Sequence, residues 1–236
     1  MNRLMGFKGR NFLPASLFTA VSLFFVWAAI GLAQEPKVDP DAFMQETSKS
    51  LTEKNEITFV NWIPEEFWRI SVAQDPTASA ALTEEITKVF RPYIVLLTYT
   101  GKAGPFGGVT YSSEETIRAT IQIRDSKGNR YRPLNEDAIG PDTRNFLQMI
   151  KPLFANMFGQ MGQNMRVFLF PAKNEVGDKV AEAKKEGVFW VELGGKEFRW
   201  KLPLGSLLAP KICPMCVEKL SGAYNFCPWD GTKLPD

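Results

Sequence analysis

From Ile57 onward, the apolar positions of the chain follow two periods, one of about 3.6 and one of 2. Ile57-Thr58-Phe59-Val60 reads as a short strand that opens the folded part of the chain. Pro64-Glu65-Glu66 marks a helix start, because proline suits the first turn and acids favour the positive end of the helix dipole. Phe67, Trp68 and Ile70 would form its buried side, and Asp75-Pro76 breaks it. Leu82, Ile86, Val89 and Phe90 recur at helical spacing, which predicts a second helix running to about Arg91 and stopped by Pro92. Tyr93 to Tyr99 is apolar on both alternating sets, the pattern of a strand covered on both faces.

The glycine-rich stretch 101–108 reads as a mobile loop; it lacks the ending of a phosphate-binding loop. Ile117, Ala119, Ile121 and Ile123 alternate with polar residues and predict a half-exposed strand, a turn over Asp125–Asn129 and a return strand through Tyr131. Pro141-Asp142 opens a long helix whose apolar set includes Phe146, Leu147, Ile150, Leu153, Phe154, Met157, Phe158 and Met161. Pro152 should kink it, and Gly159 and Gly162 should end it. Val167 to Phe170 predicts a second central strand, and the charged stretch 173–186 a solvated loop or short helix. The last strands form a hairpin about Gly194-Gly195. Pairing Leu193 with Lys196 sets Val191 against Phe198 and Phe189 against Trp200 on one face. On the other it sets Trp190 against Arg199, a cation–π pair, and Glu192 against Glu197, a repulsion at an edge.

Strands outnumber helices and no βαβ alternation is sustained. The expected class is therefore α+β: an antiparallel sheet or sandwich with inserted helices, over residues 57–210, followed by a small C-terminal module at 211–236. The polar stretch 34–56, with Pro36 and Pro40, reads as a linker holding at most one short helix.

Composition changes this picture at one point. Hydrophobic content of 44% and charge content of 23% are ordinary, but there is no histidine. That removes Ser-His-Asp and Cys-His catalysis and His-ligated metal, and leans the reading away from an enzyme. Arg3, Lys8 and Arg10 precede an uncharged, Leu/Phe/Ala-rich run from Asn11 to Gln34, and Gly31-Leu32-Ala33 offers small residues for cleavage. Residues 1–33 therefore read as an export signal. The run is also long enough for an uncleaved anchor in the inner membrane. Without 1–33 the chain keeps 25 basic and 26 acidic residues, a net charge of −1, which argues against a nucleic-acid partner.

Chemistry is concentrated in the tail, where all three cysteines lie. Ile212-Cys213-Pro214-Met215-Cys216-Val217-Glu218-Lys219-Leu220 is echoed by Phe226-Cys227-Pro228-Trp229-Asp230-Gly231-Thr232-Lys233-Leu234. Two tight turns that each offer two donors are how a chain builds a tetrahedral metal site. Over 212–234 these residues resemble the short bacterial zinc-ribbon module. The resemblance implies zinc held by Cys213, Cys216 and Cys227, with Asp230 standing where the family supplies a fourth thiolate. A Cys213–Cys216 disulfide is a second reading. A third is an empty ribbon held by packing of Phe226, Trp229 and Leu234.

The sequence therefore leads to an exported, non-enzymatic binding or structural protein of the periplasm or cell exterior, with a protein partner in the cell envelope. Zinc ribbons hold a rigid knob for such contacts, because the metal replaces a core that so few residues cannot form. The alternatives are a thiol redox protein using Cys213 and Cys216, or a carboxylate-dependent hydrolase of the cell envelope. Glu65-Glu66, Glu84-Glu85 and Glu114-Glu115 read as helix-start or surface charge, with no paired-carboxylate motif among them.

Overall fold

The computed structural model describes residues 38–72 and 79–235. The elements in chain order are α1 (Pro40–Thr47), β1 (Ser48–Glu53), β2 (Glu56–Ile63), α2 (Glu65–Val72), α3 (Ala80–Phe90), β3 (Tyr93–Ala103) and β4 (Val109–Tyr111). There follow α4 (Glu114–Thr120), β5 (Gln122–Arg124), β6 (Arg130–Tyr131), α5 (Pro141–Asn164), β7 (Arg166–Pro171), β8 (Gly187–Leu193), β9 (Lys196–Leu202), β10 (Lys211–Ile212) and β11 (Lys219–Leu220). Every strand pairing is antiparallel.

Three layers result, with β3 at the centre. One sheet runs β1-β2-β3-β4, with β7 also on β3; a second runs β6-β5-β8-β9. Side chains alternate across a strand, so β3 sends Ile94 and Leu96 into the core between the sheets. It sends Val95 and Leu97 into a second core under the helices. The first core joins Trp62, Phe168 and Phe170 to Phe189 and Trp200, with Trp62 edge-on to Phe189 at 4.8 Å. In the second, Trp68 of α2 stacks on Phe90 of α3 at 4.4 Å, and Phe146 of α5 meets both edge-on. This is the expected α+β class, a sandwich with α2, α3 and α5 on one outer face and with α1 and α4 contributing Phe43 and Ile117 to the core between the sheets.

The β8–β9 hairpin has the predicted register throughout. Gly194 and Gly195 both take positive φ, 57° and 80°, as a two-residue turn with the twist of its strands requires. The expected Glu192–Glu197 repulsion at an edge does not arise, for a tertiary reason. β8 is an interior strand, and Arg124 from β5 donates to both carboxylates while stacking over Trp190 at 4.2 Å. Arg199 lies farther from the same ring, at 5.9 Å.

Four expectations need correction. The strand predicted over 117–123 is helix α4 as far as Thr120, and only 122–124 is strand. Ser113 caps α4 by accepting from the Thr116 N–H at 3.2 Å, and Glu114 and Glu115 fill its first turn. Ile117 and Ile121 are buried four residues apart while Ala119 is exposed, so the alternation was an accident of helical spacing. Secondly, β3 continues to Ala103 and pairs with β4, which leaves only 104–108 as a turn. Thirdly, the backbone of α5 leaves helical values at Gly159 rather than at Pro152, and the helix resumes to Asn164. Phe146, Leu147 and Ile150 pack on the second core, but Met149 is exposed. The side chains of Leu153, Phe154, Met157 and Phe158 lie outside the described set.

Finally, most of the stretch read as a linker is structure. Phe43 of α1 is buried in the first core and β1 pairs along β2, with Asn61 tied to Thr47 and Ser48. The sparse apolar residues of 38–53 concealed this, because one Phe and a run of strand hydrogen bonds suffice to dock it. The Asn11–Gln34 run and its cleavage site lie outside the described residues. Among those described, no helix is long and apolar enough to cross a membrane.

Candidate metal centre

The tail folds as two knuckles with the same hydrogen-bond pattern. In the first, the Cys213 carbonyl accepts from Val217 N–H at 3.0 Å, and Cys213 N–H donates to Glu218 at 2.9 Å. In the second, the Cys227 carbonyl accepts from Gly231 N–H at 2.9 Å, and Cys227 N–H donates to Thr232 at 2.7 Å. Each knuckle is closed by a short antiparallel contact, Ile212 with Lys219 and Phe226 with Lys233. The sequence echo is thus a structural repeat. Its one departure is telling: Val217 takes φ of 60° where the second copy has Gly231 at 76°. A β-branched residue in that region is strained.

The knuckles bring together all four residues the sequence singled out. One ligand atom from each of Cys213, Cys216, Cys227 and Asp230 lies within 4.8 Å of the others, an arrangement that could hold one metal ion. The Cys213 Sγ is 3.4 Å from Asp230 Oδ2, and the Cys216 and Cys227 Sγ atoms are 3.7 Å apart. All three cysteines are free thiols, and a disulfide would need sulfurs about 2.05 Å apart.

The four donors compete for protons. Burial pushes the Cys213 thiol up, but the backbone N–H groups of Cys216 and Met215 outweigh it and leave the group below the usual thiol range. The Glu218 N–H draws Cys216 down, yet desolvation and the adjoining Cys213, Asp230 and Cys227 donors push it up to about 12. Asp230 is held far below the usual carboxylate range by the backbone N–H and hydroxyl of Thr232. Anionic donors this close cannot all ionise by themselves, and a cation at the centre would relieve the conflict.

Around the donors the ribbon has almost no core. Leu220 and Leu234 are buried with Cys213 and Cys227, and no other buried apolar side chain joins them among the described residues. The packing expected of Phe226 and Trp229 with Leu234 is not found: Phe226 is exposed and Trp229 is 76% exposed. Met215, at the same repeat position as Trp229, is 73% exposed. Each knuckle thus carries a large apolar side chain at its tip. The repeat alignment carried that signal, since tip residues of such turns point away from the donors.

The ribbon is set on the body through the 205–207 turn that follows β9. The Glu46 carboxylate of α1 accepts from the Gly205 and Ser206 N–H groups at 3.0 and 2.9 Å. Gly222 sits so tightly on the chain before the ribbon that a Cβ there would lie 2.4 Å from the Ala209 carbonyl. The segment read as linker therefore helps to position the module that carries the four donors.

Elsewhere the carboxylates are structural. Asp125 is the one buried carboxylate among the described residues. It accepts from the Lys127 and Asn129 N–H groups, the Asn129 amide and the Tyr131 hydroxyl, closing its turn. Glu65 and Glu84 share Arg69 and Arg91 at the surface. The chain matches no known family profile, no curated protein and no solved structure.

Proposed function

We propose that this protein is an exported, non-enzymatic binding protein whose C-terminal zinc ribbon presents an apolar knob to a protein partner in the cell envelope. The observation that carries the reading is the placement of Met215 and Trp229 at the two knuckle tips, in solvent, above a four-donor site. A 26-residue module that turns its aromatics outward gives up the burial that would otherwise fold it, and a metal supplies what is missing. Outward Trp and Met at a rigid tip are the residues enriched in binding surfaces. Zinc fits the donor set, because thiolates select it. The Cys216–Cys227 separation of 3.7 Å also matches the edge, roughly 3.8 Å, of a tetrahedron with bonds of about 2.3 Å. Export rests on the uncharged Asn11–Gln34 run behind three cations.

The test has two arms. Elemental analysis of protein purified without chelator should find about one zinc per chain. Asp230→Ala should leave partial occupancy, with water in the open position, and Asp230→Cys should tighten binding. An envelope partner captured by the wild type should be lost on the Met215→Asp/Trp229→Asp double variant, with zinc content unchanged. A partner retained by that variant overturns the docking role. If neither the wild type nor Asp230→Cys holds zinc, the metal reading falls.

The three free thiols favour one second reading, thiol redox chemistry. Thiol titration before and after chelation separates the two: a zinc site masks thiols until the metal is removed, whereas a redox pair reacts at once.

A further inference from the structure

On the body, away from the ribbon, a cleft of about 300 Å³ lies between α4, the 136–138 turn, α5 and the start of β7. That volume is at the lower end of small-molecule sites. Its floor is apolar, with Ile139 and Met165 buried and Leu147 and Val167 half-buried. Its rim is cationic: Arg118, Arg144, Lys151 and Arg166 outnumber the two lining acids, Glu114 and Glu136, and Glu115 lies near enough to Arg166 to feel its charge.

What holds the guanidinium groups is main-chain carbonyl. Arg118 donates to Leu134 at 3.0 Å, Arg144 to Glu136 at 2.8 Å and to Ile139, and Arg166 to Gln163 at 2.9 Å and Met165 at 3.2 Å. Carbonyls orient a guanidinium without neutralising it. Arg118 has the Glu114 carboxylate at 3.7 Å, while Arg144, Lys151 and Arg166 make no ion pair among the described residues. A second hollow of about 330 Å³ adjoins the first, sharing Gln148, Lys151 and Gly162 and adding Pro152 and Gln163. It adds no further charge. Together they form a groove whose cations gather at one end, with Lys151 at the junction and no charge beyond it.

We propose that this groove binds a single-chain amphiphile with an anionic head. The head sits among Arg144, Lys151 and Arg166, and the chain lies over Leu147 toward Pro152. Oriented guanidinium forks accept carboxylate and phosphate alike, so a fatty acid and a lysophospholipid-type phosphate share the required chemistry. The site is separate from the metal centre, and its binding does not depend on the ribbon.

Calorimetric titration of the full chain below the micelle concentration decides it, with dodecanoate, dodecyl phosphate, dodecanol and inorganic phosphate as probes. At least one anionic amphiphile should bind about tenfold or more tightly than both dodecanol and inorganic phosphate, as expected for charge-assisted contacts. Which of the two binds better identifies the head group. Lys151→Glu alters an exposed residue whose side chain makes no hydrogen bond among the described residues, and should weaken binding by roughly tenfold without moving the melting temperature. Arg166→Gln should weaken it as well. Dodecanol binding as well as the acids would reduce the groove to an apolar patch, and phosphate alone binding as well would remove the role of the chain. No binding by either amphiphile, or binding indifferent to Lys151→Glu, overturns the proposal.

Discussion

In the β8–β9 hairpin, Phe189, Val191, Phe198 and Trp200 all point into the space between two sheets and are buried. In the tail, another pair of antiparallel turns, Met215 and Trp229 point into solvent, and four donor atoms converge on one another, those of Cys213 and Cys227 from buried residues. The hairpin is held by area removed from water, which is non-directional and tolerant of detail. On the reading proposed above, the tail is held by a few directional contacts around one point, so each donor would matter and the surface would be left free for other uses. Two short stretches with similar backbones thus differ in what can be taken from them before they fail.

Removing the metal should separate the two regions most sharply. Structural zinc supplies on the order of 10 kcal/mol to modules of this size. A strong chelator or Cys213→Ser should therefore abolish protection of the 212–234 amides in hydrogen exchange while leaving the β8–β9 amides protected. Equal loss in both regions would show that the ribbon and body fold as one unit. The same metal should be released as pH falls, because thiolates must stay deprotonated to bind it.

Phe198→Ala strikes the other region and should cost roughly 3–5 kcal/mol in denaturant melts, with zinc content unchanged. Lys201→Ala, exposed on the opposite face, should cost less than about 0.5 kcal/mol. Similar costs would break the contrast, since the hairpin would not then depend on its buried face.

Within the ribbon, Val217→Gly should be a gain. It relieves a β-branched residue at φ of 60° and restores the glycine of the second copy. It should raise stability of the zinc-bound ribbon by about 1 kcal/mol, read as slower zinc loss to a competing chelator. Faster loss would mean that Val217 contributes through contacts rather than strain.

The smallest effect belongs to the Asp125 turn of the body. Burial raises its pKa, but the Asn129 amide, the Tyr131 hydroxyl and the Asn129 and Lys127 N–H groups outweigh that and hold it below the ordinary carboxylate value. A depressed folded pKa stabilises above the unfolded value, about 4, and this stability is lost as pH falls through the folded value. Melting temperature against pH should therefore fall less steeply in acid for Asp125→Asn than for the wild type.

The sequence by itself determined the elements whose information is local. The β8–β9 register followed from a two-glycine turn and an alternation of period 2, both of which act over a few residues. The four donors followed from a repeated spacing that fixes each turn. Position in the sheet was beyond its reach: Glu192 and Glu197 are reconciled by Arg124, some seventy positions away in the chain. So was the docking of α1 and β1, where a single buried Phe43 and hydrogen bonds to β2 outweigh a polar composition. The 117–123 stretch satisfied helix and strand alike, and the Ser113 cap with a core that needed Ile117 and Ile121 on one side chose helix for most of it. Whether Trp229 folds inward or outward was likewise settled only by the tertiary structure. An apolar side chain carries no direction in its own sequence, and takes one from the neighbours that the rest of the chain brings to it.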